Sequence, residues 1–91
     1  MDLLVCEIME GARQAEATAV VKDVQGRREF LPVDRELITE EEGKHWVSVS
    51  LIHVDDARQL ALVGLPVEAD SGAHRIWVKR SHLGQPNQVA S

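Results

Sequence analysis

The stretch KHWVSVSLIHV, residues 44–54, decides the fold class of this chain. Its larger apolar side chains recur at every second position, the spacing at which side chains of a β-strand point to opposite faces of a sheet. One face carries His45, Val47, Val49, Leu51 and His53, and the other carries Trp46, Ser48, Ser50, Ile52 and Val54. The stretch therefore predicts a long strand whose valine face fills a core and whose tryptophan face points outward.

The same period of two predicts five more strands along the chain. They are expected at residues 3–9, 15–22, 27–33, 59–63 and 75–79. Asp23-Val24-Gln25-Gly26 fits a type I turn that joins the second and third of these strands. Because Pro32 lacks a backbone N–H, the third strand is expected at a sheet edge.

One of these strands has a competing interpretation. Residues 12–21 are rich in alanine, the best helix former, so a helix is the alternative there. The neighbouring β-branched residues Val20 and Val21 favour extended structure, and for this reason we expect a strand.

Residues 34–43 lack the two-residue period. Asp34 can cap a single helical turn that carries Leu37 and Ile38. Glu40-Glu41-Glu42 is typical of a solvated acidic tip. This segment therefore predicts a short turn of helix inside a long loop.

Together these elements predict an all-β fold, a small antiparallel barrel (SH3-like or similar) of five to six strands with one short helical turn. Residues 72–83, GAHRIWVKRSHL, resemble the end of SH3-like barrels, with a glycine, a short strand, a turn and an apolar anchor. The resemblance implies no docking of proline-rich peptides, because the chain has no Tyr, two Trp and one Phe. One domain is expected over residues 1–83, followed by a flexible tail at 84–91.

Length and charge set further limits. A chain of 91 residues is long enough for one modest core. Its net charge of −5 disfavours binding to nucleic acid, and residues 1–43 carry −6 of it while residues 44–91 carry +1. No apolar run approaches the roughly 20 residues of a membrane-spanning helix, and Asp2 does not fit the start of a secretory signal. We therefore expect a cytoplasmic protein without membrane attachment.

Patterns that carry catalysis or metal binding are missing from the sequence. Cys6 lies in an apolar run beside Glu7, which indicates a buried thiol and not a nucleophile. The four histidines lack the short spacings of metal ligands, and the glycines form no phosphate-binding loop. We therefore expect no catalytic residue, no metal and no cofactor, and a protein that is not an enzyme.

Large apolar groups on the predicted outer face need a cover or a partner. The candidates are Trp46, Ile52, Val54, Arg75, Trp77 and Lys79. Either residues 34–43 or residues 64–73 fold over the two tryptophans, or the six residues form a protein–protein contact, in which Trp is enriched. The leading hypothesis is a non-catalytic binding or assembly module whose partner is another protein or a second copy in a homodimer.

Two other functions stay open. A nucleic-acid-associated factor would stack bases on Trp77 beside basic side chains. That patch comprises Arg27, Arg28, Trp77, Lys79 and Arg80. A small-molecule binder would need a pocket beneath the loop of residues 64–73.

Overall fold

The computed structural model describes residues 2–10 and 14–84, which contain eight β-strands and no α-helix. The strands are β1 (Asp2–Glu10), β2 (Glu16–Lys22), β3 (Arg28–Asp34), β4 (Ile38–Glu41), β5 (Lys44–Asp55), β6 (Leu60–Gly64), β7 (Arg75–Lys79) and β8 (Leu83–Gly84). Two single-turn 3₁₀ helices, Arg35–Leu37 and Arg80–His82, precede β4 and β8. The all-β prediction is confirmed.

The strands form one antiparallel sheet with the order β3-β2-β1-β5-β6-β7, while β4 pairs with β5 and β8 pairs with β1. The sheet curls into a half-barrel, which brings its two end strands towards each other. The Val24 N–H, in the β2–β3 turn, donates to the Trp77 carbonyl in β7 over 2.7 Å. On the other side, the Asp70 N–H donates to the Phe30 carbonyl in β3 over 3.0 Å. This architecture is compatible with the small barrel that the sequence predicts.

The core is aliphatic and lies on the concave face of the sheet. Its fully buried side chains come from β1, β2, β3, the first half of β5, β6 and β7. They are Leu4, Val21, Leu31, Val33, Val47, Val63 and Val78. Because apolar burial contributes about 25 cal/mol per Å², this continuous cluster is the main source of stability. No polar or charged residue is buried in the described part of the chain.

The alanine-rich segment is a strand, so the helical alternative is excluded. β2 pairs with β1 on one side and with β3 on the other. Ala17 and Ala19 are completely buried, in line with Val21 on the concave face. At the β2–β3 turn, Gly26 has φ +85°, and its N–H donates to the Asp23 carbonyl over 3.0 Å. The turn prediction and the edge position of β3 are both confirmed.

The first half of the segment 34–43 has the predicted helical turn, but its second half is a strand and not a loop. The helical turn is present at Arg35–Leu37, although Asp34 makes no side-chain capping hydrogen bond. The rest is not a loop, because β4 pairs with the first residues of β5. Glu42 (φ 52°) and Gly43 (φ 78°) both adopt the left-handed conformation that a two-residue hairpin turn requires. The acidic run is therefore the tip of a hairpin, and the glycine after it sets the chain reversal.

One residue of the predicted C-terminal tail belongs to the sheet. Gly84, assigned to the tail by sequence, belongs to β8 and pairs with Leu3. The rest of the predicted tail, residues 85–91, lies outside the described residues. The loop between β6 and β7 turns inward at Ala69, which is buried in the core.

Candidate functional site

A β-bulge in the middle of β5 determines which side chains reach the outer, convex face. Leu51 pairs with Val63, but it is His53, two residues on, that pairs with the next residue, Leu62. The extra residue, Ile52, shifts the alternation by one position. His53 therefore lies in the outer row, whereas Val54 pairs with the buried Ala61 on the core side. The predicted outward position of Val54 is wrong for this reason.

Behind the bulge, four side chains form a continuous surface that we call the outer patch: Ile52, His53, Leu62 and Trp77. His53, Leu62 and Trp77 are in register across β5, β6 and β7. The rings of His53 and Trp77 meet edge to face, with centroids 6.2 Å apart, so they lean together over Leu62. Ile52 lies above Gly64 on the same face. Ile52 is 47% exposed and Trp77 is 37% exposed, so the patch has no cover within the described chain.

Two basic side chains flank this patch. Arg75 and Lys79 lie two residues to either side of Trp77 on β7, and alternation places all three on the same face. Neither makes an ion pair with any residue that the structure describes. Their charges are therefore available to an external acidic group.

Trp46 does not belong to the patch. It lies in the first half of β5, paired with Val5 on one side and Thr39 on the other. Its six-membered ring lies so close to Gly84 that a Cβ there would be 3.1 Å from Cζ3. His53 lies seven positions after Trp46, which corresponds to roughly 20 Å along a strand. Trp46 is half-buried and packs against Gly84 of β8. Neither residues 34–43 nor residues 64–73 cover Trp77, which is exposed.

Two of the basic residues of the alternative nucleic-acid patch, Arg27 and Arg80, are engaged with other side chains. Arg27 contacts Asp23 at 3.4 Å and donates to Gln25 over 2.7 Å. Arg80 donates to Asp56 over 2.8 Å. Arg28 has its guanidinium 5.5 Å from the Phe30 ring centroid, and Lys79 lies beside Trp77 as described above.

Nothing in the described residues forms a reactive or metal-binding cluster. Burial raises the pKa of the Cys6 thiol from its ordinary value to about 11, so the thiol is protonated at neutral pH. No three His, Cys, Asp or Glu side chains of the described chain could share a metal ion. His45 lies 3.8 Å from Glu40 across the β4–β5 hairpin, and His74 lies 3.4 Å from Glu68 in the loop between β6 and β7.

The loop of residues 64–73 packs directly on the hydrophobic core. Ala69 is buried in the core, and Leu65, Val67 and Ala73 pack against it. Ser71 donates to the Glu29 carboxylate over 2.6 Å, which fastens the loop to β3. The segment is therefore packed onto the core that it crosses.

Ile52, Arg75, Trp77 and Lys79 lie on the outer face, as the sequence predicts, and the same face also carries His53 and Leu62. The sequence pattern predicts only that Leu62 belongs to a strand, and it predicts His53 on the core face. The signal for both is the register of β5 against β6, which the two-residue period does not contain.

Comparison with known proteins found no match among family models, curated proteins or solved structures. Among the described residues, no helix has the length and apolar character needed to cross a membrane.

Proposed function

We propose that this protein is a non-catalytic binding module that docks a segment of another protein on the outer patch. The observation that supports the proposal is an exposed tryptophan, Trp77, packed edge to face on His53 and flanked by Arg75 and Lys79. Tryptophan and arginine are the residues most enriched in binding hot spots. The docked segment presents an apolar side chain to Trp77 and acidic side chains to the two flanking cations.

A second copy of this chain fits the patch less well than a different acidic partner. A two-fold contact between two β7 strands would place Arg75 and Lys79 of one copy near the same residues of the other. Like charges in such positions are repulsive and cost several kcal/mol in a desolvated interface. The homodimer is therefore an outcome of the test below and not the proposal itself.

Single-stranded nucleic acid is also disfavoured as the ligand. Of the five residues in the alternative patch, Arg27 and Arg80 are already paired with Asp23 and Asp56. The net charge of −5 repels a polyanion at long range, whereas it repels a short acidic segment much less.

No catalytic step is part of this proposal. The only thiol, Cys6, is buried and protonated at neutral pH, which agrees with a structural role. We also propose a cytoplasmic location, where a single unpaired cysteine remains reduced.

The test is a selection of peptides by display on the intact protein. One library alternates apolar and acidic residues, and a matched library alternates apolar and basic residues. We expect binders from the acidic library only, and we expect Trp77→Ala to weaken them about thirtyfold, the size of a hot-spot loss. Reversing both charges, in Arg75→Glu with Lys79→Glu, should transfer the preference to the basic library.

Met9→Ala and Lys44→Glu serve as controls, since Met9 is an exposed apolar residue and Lys44 a basic one outside the patch. Binders that tolerate Trp77→Ala would refute the proposal. Sedimentation equilibrium that shows a dimer abolished by Trp77→Ala would assign the patch to self-association instead. Binding of an oligothymidylate that Lys79→Glu abolishes would assign it to nucleic acid.

A further inference from the structure

A second surface feature, separate from the outer patch, lies where β1 changes its neighbour. β1 pairs with β8 through Leu3 and Leu4, and it pairs with β2 only from Glu7 onward. Between these two pairings, β1 has a strand partner on its β5 side alone. The gap leaves a notch of about 180 Å³ lined by Val5, Cys6, Glu7, Val20, Lys22 and His82.

A shallow groove continues from this notch towards the β2–β3 turn. Lys22 and His82 line both the notch and the groove, and Lys79 and the turn residues 23–26 line the far end. The hydrogen bond from the Val24 N–H to the Trp77 carbonyl holds the hairpin against β7. Three cationic or ionisable side chains from β2, β7 and the second 3₁₀ helix thus converge on one depression.

These basic side chains have no acidic partner of their own in the described structure. Lys22, Lys79 and His82 make no ion pair with a described residue. Lys22 also lies directly across from Arg28 in the β2–β3 pair. Like charges directly opposite one another destabilise a sheet, so a bound anion would relieve repulsion here.

Two carboxylates face the same depression and have different effects. The negative charge of Asp23 is compensated within the turn, because its carboxylate accepts from the N–H groups of Gln25 and Arg27 and pairs with the Arg27 guanidinium. Glu7 lines only the notch and has no described ion-pair partner. An anion is therefore favoured at the groove end, near Lys22, Lys79 and His82, and not beside Glu7.

The turn backbone has no donor to offer such an anion. The N–H groups of Val24, Gln25, Gly26 and Arg27 all donate within the protein. Recognition must come from side-chain charge, for which lysine is a compact cationic group that suits a phosphate. The notch beside it has an apolar wall of Val5 and Val20, and a cavity of about 150 Å³ is large enough for a benzene ring.

We propose that this depression binds a phosphate monoester, with the phosphate held by Lys22, Lys79 and His82 and a small apolar ester group placed in the notch. The inference is independent of the proposed function, because the notch and the outer patch share no residue. Lys79 alone connects the two sites, as a flank of the patch and a wall of the groove.

The experiment is a calorimetric and NMR titration of the full chain with inorganic phosphate, phenyl phosphate, phenol and acetate. We expect phenyl phosphate to bind at least about tenfold more tightly than inorganic phosphate, since only the ester fills the notch. Phenol and acetate should not bind measurably. Lys22→Gln and His82→Gln should each weaken phenyl phosphate about tenfold, whereas Lys44→Gln, a matched strand lysine on the β4–β5 hairpin, should not.

Glu7→Gln gives a test by gain, because removal of the nearby negative charge should tighten binding a few-fold. Equal affinity for inorganic and phenyl phosphate would refute the role of the notch. Unchanged affinity in both Lys22→Gln and His82→Gln, with the fold confirmed by their NMR spectra, would refute the site. Ile52→Asp should bind phenyl phosphate normally, because Ile52 lies in the outer patch and lines neither the notch nor the groove. Phenyl phosphate binding and peptide binding to the outer patch can therefore fail independently of each other.

Discussion

Each half of β5 carries one large apolar side chain on the outer face, but the two halves have different neighbouring strands. The first half, from Lys44 to Val49, lies between β4 and β1, and its tryptophan is shielded by β8 at Gly84. The second half, from Ser50 to Asp55, pairs with β6 alone and exposes Ile52 after the bulge. A large apolar side chain on the outer face is thus partly buried where another strand covers it and exposed to solvent where none does.

The largest expected difference between the halves comes from one substitution made in each. Val47→Asp places a carboxylate at a fully buried position between Leu4 and Ile38, with no cation to pair with it. We expect a loss of about 4 kcal/mol in the free energy of unfolding, which approaches the whole stability of a small domain. Ile52→Asp makes the same charge change on the exposed half and should cost less than about 0.5 kcal/mol.

Urea denaturation followed by circular dichroism measures both variants. A Val47→Asp variant as stable as the parent would contradict the placement of the core. A decrease in the free energy of unfolding of Ile52→Asp as large as that expected for Val47→Asp would contradict the exposure of the second half.

An intermediate effect is expected where β8 shields Trp46. In Gly84→Ala the new Cβ would lie 3.1 Å from Cζ3 and 3.3 Å from Cη2 of the indole, so the ring must shift. We expect a cost of about 1 kcal/mol in stability. In a Trp77→Phe background, the remaining Trp46 emission should move to longer wavelength as the ring becomes more exposed to water.

Gly64→Ala is the matched control, because its nearest neighbour is the flexible Ile52 Cδ1 at 3.4 Å. It should cost less than Gly84→Ala. If Gly84→Ala retains full stability and an unshifted spectrum, Trp46 is not held by β8.

A further effect concerns the reactivity of the thiol and not the stability of the fold. With a pKa raised to about 11, Cys6 has about one hundredth of the thiolate fraction of an ordinary thiol at pH 8. We therefore expect alkylation of Cys6 to be about one hundredfold slower than that of Ser50→Cys in a Cys6→Ala background, since Ser50 is exposed. Equal rates would show that Cys6 is not covered.

The same raised pKa has a consequence for stability at high pH. Between pH 9 and about 11 the unfolded chain loses the thiol proton while the folded chain keeps it. The contribution of Cys6 is thus complete below pH 9 and is lost as the pH rises through this range. Stability should fall less steeply between pH 9 and 11 in Cys6→Ala, as thermal denaturation across this range would show.

Much of the fold could be predicted from local sequence. The strands, the Asp23–Gly26 turn and the edge position of β3 each depend on residues that are neighbours in the chain. The β4 hairpin has no local signature, because its short polar strand lacks an apolar period of two; its pairing with β5 and the positive φ values of Glu42 and Gly43 show it in the structure. Of the candidate interface, the outward faces of Ile52, Arg75, Trp77 and Lys79 could be predicted, because each follows from alternation within its own strand.

The sequence by itself determined that this chain forms an antiparallel sheet with a valine-rich concave face, since a period of two is a property of each strand alone. Only the tertiary structure decided which outer side chains are free. The bulge at Ile52, the cover of Trp46 by Gly84 and the change of partner along β1 all depend on how separate strands pair. Register is set by contacts between residues far apart in the chain, and no local pattern records it.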